Sequence, residues 1–124
     1  MKNSRLLTEA EQELMVILWE HRSASVREVV DSLERPRAYT SIATILRILE
    51  DKGFATSERV GRTLHYSAAI GRASYEARNL RHLVAGLFGG NPLALVRRLV
   101  DADALSTDDL AAMQQLIDER LGEE

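Results

Sequence analysis

The side chains with the most chemical content lie in one stretch, Tyr39 to Gly53, YTSIATILRILEDKG. At 100° per residue, Thr40, Ala43, Thr44, Arg47 and Asp51 fall on one side of a helix, and Ile42, Ile45, Leu46 and Leu49 on the other. The apolar side requires a core. The polar side is small and hydroxylic toward its N-terminal end and carries one arginine. Small residues let a backbone come close to a partner, hydroxyls reach phosphates or base edges, and an arginine can bond guanine through two donors in the major groove of DNA. A plain amphipathic helix with a solvated face has the same pattern, so the neighbouring segments have to decide.

Other chemistries find little support. His21, His65 and His82 are not at metal-ligand spacing. Asp101, Asp103, Asp108 and Asp109 lack the glycine and distal glutamate of a calcium loop, and two of them read as helix-start carboxylates. Gly89-Gly90 reads as a helix terminator, and no glycine-rich phosphate loop is present. The absence of cysteine excludes thiolate catalysis, disulfides and cysteine-based zinc sites. No catalytic residue, metal or cofactor is expected, and the chain does not read as an enzyme. The lack of cysteine, of an apolar run near 20 residues and of a secretory signal agrees with a cytoplasmic protein without membrane insertion.

Charge is unevenly distributed. The chain of 124 residues has net charge -3. Residues 35–72, however, hold seven basic residues against three acidic ones, net +4, between acidic flanks of -3 and -4. Local charge matters more than the total for docking on DNA.

The elements that must position these residues can be read in order. Thr8 and Glu11 form a capping box for a first helix with Leu14, Ile17, Leu18 and Trp19 inward, ending near His21-Arg22. After a break at Ser23-Ala24-Ser25, Ser25 and Glu28 cap a second helix with Val26, Val29, Val30 and Leu33 inward, ending before Arg35-Pro36. Arg35-Pro36-Arg37 is a basic turn, and Gly53 stops the third helix. Phe54 to Arg59 and Thr63 to Ala68 read as strands joined at Val60-Gly61-Arg62, with Leu64, Tyr66 and Ala68 alternating against Thr63, His65 and Ser67. The expected fold is mainly α with a small β-hairpin. Its N-terminal part, residues 1–71, reads as a winged helix-turn-helix, in which the third helix enters the major groove and the hairpin wing lies on the adjacent backbone.

Residues 72–124 read as a helical dimerisation domain. Ala73 to Phe88 forms one helix, Asn91 and Pro92 open another, and Ser106 with Asp109 starts the last. Leu80, Leu83, Leu87, Phe88, Leu93, Val96, Leu99, Leu110, Met113, Leu116 and Ile117 give these helices more apolar surface than so few residues can bury alone, and they are the candidate homodimer contacts. A winged-helix module that binds protein, or one that senses a small ligand, would share much of this outline.

Four segments carry a resemblance: LTEAEQELMVILWE, SVREVVDSL, YTSIATILRILEDKGFATSERVGRTLHYS and LFGGNPLALVRRLVDADALSTDDLAAMQQLID. From about Leu7 to Ile117 they are similar to the penicillinase-repressor (BlaI/MecI/CopY) family of bacterial transcriptional regulators. That resemblance implies a homodimer on a palindromic, dyad operator in double-stranded DNA. It also implies repression of a resistance, metal-transport or stress operon, in systems that often include a membrane sensor protease. Carried onto this chain, it gives Thr40, Ser41, Thr44 and Arg47 on the recognition helix and Arg59, Gly61 and Arg62 on the wing. Arg37 in the preceding turn and Tyr39 at the helix start complete the candidate DNA contacts. Two departures stand out. Arg47-Ile48-Leu49 replaces the Asn-Arg-Leu with which relatives commonly end this helix. Arg98-Leu99 stands where relatives relieved by proteolysis have an Asn-Phe bond, so cleavage there is not expected. Copper sensing through C-terminal cysteines is likewise excluded.

Overall fold

Three reciprocal capping boxes start three of the helices, and the computed structural model, which describes residues 6–123, shows each of them closed. At helix α1 (Glu9–Glu20) the Thr8 hydroxyl accepts the Glu11 N–H at 3.2 Å, and the Glu11 carboxylate accepts the Thr8 N–H at 2.9 Å. Ser25 and Glu28 do the same for α2 (Val26–Ser32), and Ser106 and Asp109 for α6 (Thr107–Gly122). Bonds from the serine backbone N–H, and then from the serine side chain, hold the Glu28 and Asp109 carboxyls below their ordinary pKa. Between these helices lie β1 (Ala24–Ser25), α3 (Tyr39–Asp51), β2 (Ala55–Val60), β3 (Thr63–Ala68), α4 (Arg72–Leu87) and α5 (Pro92–Asp101).

Helix α3 ends in a Schellman turn. Gly53 takes φ 87°, its N–H donates to the Glu50 carbonyl, and the Phe54 N–H donates to the Leu49 carbonyl. This reversal places Phe54 fully in the core, so the strand expected to begin at Phe54 begins at Ala55. The same geometry closes α5, where Asp103 adopts φ 57°. Asp103 thus serves as a backbone stop.

The sheet has three strands in the order β1-β3-β2, all antiparallel. The hairpin β2–β3 was expected, but β1 was not. Ser23-Ala24-Ser25 reads as a break because Ala24 and Ser25 have little strand character, and their pairing with Tyr66 and His65 is a long-range event with no local signal. As the central strand, β3 alternates less cleanly than its sequence suggests: Tyr66 is buried, while Leu64, His65, Ser67 and Ala68 are all half-buried.

Packing divides the chain between Asn79 and Leu80, within α4. In the first unit, Leu14, Met15, Leu18, Val29, Ile42, Leu46, Leu49 and Phe54 are fully buried between α1, α2, α3 and the sheet. Tyr75 closes this core: its ring meets Phe54 edge-on and lies against Trp19, and its hydroxyl accepts the Leu7 N–H. In the second unit, Asn91 caps α5 and Pro92 occupies its first position. Among the described residues from Leu80 onward, none is buried. No single helix among the described residues is long and apolar enough to cross a membrane.

One ion pair ties the first unit together. The Glu11 side chain, 7% exposed, accepts two bonds from Lys52 Nζ at 2.7 and 2.9 Å in addition to its capping bond. Burial pushes the carboxyl pKa up, but the Lys52 bond, the Thr8 N–H and the lysine charge together bring it below the usual 4.5. Because the folded value is depressed, the stabilisation is fully present above the unfolded pKa and is lost as pH falls through the folded one. Glu11→Ala should therefore destabilise the protein by about 3 kcal/mol at neutral pH. In urea unfolding across pH, the gap between wild type and variant should narrow only below pH 4.5. A gap that is already constant from pH 7 to pH 3 would contradict this account.

Candidate nucleic-acid interface

The outer face of α3 is built by exclusion. Ile42, Leu46 and Leu49 are fully buried and Ile45 is half-buried, which fixes the rotation of the helix and leaves Thr40, Ser41, Thr44, Arg47, Ile48 and Asp51 exposed. Ala43, expected on the outer side, is half-buried and packs at the edge of the core. The Thr44 hydroxyl donates to the Thr40 carbonyl at 2.9 Å. Its proton is spent on the helix itself, so outward it offers an acceptor oxygen and a methyl group.

Around the start of α3 the basic residues have distinct environments. Tyr39 is exposed, and the Arg27 guanidinium lies 5.2 Å from the centre of its ring. This cation–π contact joins the first turn of α2 to the first residue of α3. Arg27 has no signal of its own in the sequence, because only the fold brings it beside Tyr39. Arg37 pairs with Glu13 of α1 at 3.4 Å, with both side chains about one-third exposed. Screening makes that bond weak, but it orients the turn before α3.

The wing is a two-residue hairpin. Val60 pairs with Thr63, so Gly61 and Arg62 form the turn, with φ 65° at Gly61 as a type II′ turn requires at its first position. Arg59, Val60, Gly61 and Arg62 are exposed, and Arg59 Nη1 donates to the Arg62 carbonyl. At the base of the wing, Ser57 Oγ donates to the Glu50 carboxylate of α3 at 2.7 Å, which couples the pitch of the hairpin to the third helix. His65, on β3 opposite Glu58, is half-buried. Thus Arg37, Tyr39, Thr40, Ser41, Thr44, Arg47, Arg59, Gly61 and Arg62 all fall on α3, the turn before it, or the wing. No group of His, Asp or Glu among the described residues could hold a metal ion.

In the second unit, Leu80, Leu83, Leu87, Leu93, Leu99, Leu110, Leu116 and Ile117 are exposed, and Phe88, Val96 and Met113 are half-buried. An apolar groove of about 530 Å³ lies between the C-terminal half of α4 and α5, lined by Leu80, Val84, Leu95 and Val96 among others.

Three helices, a short basic turn into the third, and a hairpin with arginines at its tip define a winged-helix DNA-binding protein. The penicillinase repressor family model matches residues 7–119, and the chain belongs to that family of DNA-binding transcriptional repressors, which are not enzymes. It is 25% identical over 121 residues to the penicillinase repressor of Bacillus licheniformis, covering 96% of this chain and 94% of that one. It is 20% identical to the methicillin resistance regulatory protein MecI of Mammaliicoccus sciuri, covering 92% and 94% of the two chains. Among solved structures, the DNA-binding domain of the repressor BlaI matches with TM-score 0.53 and 30% identity, over 60% of this chain and 94% of that one.

The turn itself can be tested without DNA. A Cβ at Gly61 would meet no atom within 4 Å, so a side chain there costs only backbone strain. Gly61→Val should lower stability by about 1–3 kcal/mol, read as a fall in thermal midpoint, whereas Arg62→Ala should leave it nearly unchanged.

Proposed function

We propose that this chain is a homodimeric, sequence-specific repressor that occupies a dyad operator through α3 and the wing of each copy. The observation that carries the dimer is the second unit: no described residue from Leu80 onward is buried, and Leu87, Leu93, Leu116 and Leu121 are each more than 60% exposed. So many exposed apolar side chains call for a partner, and a second copy supplies a self-complementary one. Two copies related by a twofold axis would read two half-sites of opposite orientation.

On each half-site the division of labour follows from the chemistry. Arg47 and the hydroxyls of Thr40, Ser41 and Thr44 face base edges. Arg59 and Arg62 of the wing, with Arg37 and the Arg27–Tyr39 stack, neutralise phosphates and fix the register. The net +4 of residues 35–72 supports this assignment. The names of its relatives, a penicillinase repressor and a methicillin resistance regulatory protein, support an operon for antibiotic resistance as the target. Arg98 and Leu99, both exposed on α5, replace the Asn-Phe pair, so release would not use cleavage at that bond by a membrane sensor protease.

Binding and sedimentation test this together. The protein should sediment at twice the chain mass at micromolar concentration, and Leu116→Glu should shift it toward monomer. On an operator fragment, Arg47→Ala should cost about 1–3 kcal/mol and relax specificity. Arg62→Ala should weaken all DNA alike and reduce the salt slope by about one. A monomer that binds a single half-site with full affinity would refute the dimer. Unchanged affinity in both arginine variants would remove α3 and the wing as the reading elements.

A further inference from the structure

Among the described residues of the first unit, the exposed large hydrophobics are Tyr39, Ile48 and Val60. All three lie on α3 or at the tip of the wing, and none lies on α1, α2 or the back of the sheet. Two have local explanations: the Arg27 guanidinium covers Tyr39, and Val60 closes the hairpin opposite Thr63. Ile48 has none. It is 40% exposed, and by helical rotation it falls on the outer face between Thr44 and Ser41, away from the buried Ile42, Leu46 and Leu49.

Helix stability does not account for it. A β-branched residue is a slightly poor helix former, and an exposed side chain gains little from the core. An arginine or lysine there would serve solubility and DNA affinity better. On the Thr44 side of Ile48 the hydroxyl proton is bound to the Thr40 carbonyl, so there the face presents methyl groups and no free donor. The one apolar feature on the floor of the major groove is the C5-methyl group of thymine.

We infer that Ile48 reads a thymine C5-methyl group in each half-site, so that α3 discriminates by apolar contact at one base pair and by Arg47 at another. This rests on the DNA-binding reading above. Nothing but DNA is required as partner, and the selective element is a methyl group that can be removed without touching any hydrogen bond.

The experiment uses the full chain and duplexes enriched by it from a random 30-base-pair library. In one enriched duplex each thymine is replaced singly by deoxyuridine, which deletes only the methyl group, and affinity is followed by fluorescence anisotropy. One position in each half-site should lose roughly three- to tenfold in affinity for the wild type, the scale of one buried methyl group. Ile48→Ala should lose a similar factor on the thymine duplex and show no further loss on the uracil one. Ile48→Val should keep most of the discrimination, and melting temperatures close to wild type would show that both variants are folded. A flat uracil scan overturns the inference while leaving the repressor reading intact. So does a uracil penalty that persists undiminished in Ile48→Ala. Failure to enrich any sequence would sink the repressor reading, and this inference with it.

Discussion

A carboxylate withdrawn from water must find compensation, and the way Glu11 finds it sets the frame of the first unit. Its oxygens accept from the Thr8 backbone at the start of α1 and from Lys52 at the end of α3. The two helices are thereby fixed at one corner, by a pair that would be costly to leave half-made. From that corner the chain turns through Gly53, drives Phe54 into the core, and leaves along β2 in a defined direction. The position of the third helix and the departure of the wing are consequences of the same local arrangement.

The outer surface is held with much less energy. Arg37–Glu13, Ser57–Glu50 and the Arg27–Tyr39 stack are partly exposed contacts, each of which orients a side chain or a segment. The unit therefore combines a rigid apolar base with a set of weakly tethered cations and hydroxyls above it. That combination suits recognition of a polyanion, where long-range attraction supplies affinity and the fixed backbone supplies register.

Much of this was legible in the sequence, and the reasons are specific. The capping boxes at Thr8, Ser25 and Ser106 are short-range signals, and all three mark real helix starts. The 3.6-residue period of Ile42, Leu46 and Leu49 gave the buried face of α3, and Gly53 gave its end. What escaped was long-range. Strand β1 exists because Tyr66 and His65 come alongside it, and the Arg27–Tyr39 contact exists because α2 and α3 meet at their N-terminal ends. The Glu11–Lys52 pair spans 41 positions and has no sequence signal beyond two opposite charges. Ile48 was visible as an odd residue in the third helix, but its exposure needed the fold.

The bare apolar surface of residues 80–123 also bears on dose. A unit in which no described residue is buried has little stability to draw on alone, so under the proposed pairing its order is linked to protein concentration by mass action. Near the dimer dissociation constant, the population able to grip both halves of an operator would then fall faster than the total as the cell dilutes the protein by growth. The chain's abundance would then become an input to the switch, with dilution alone enough to free an operator.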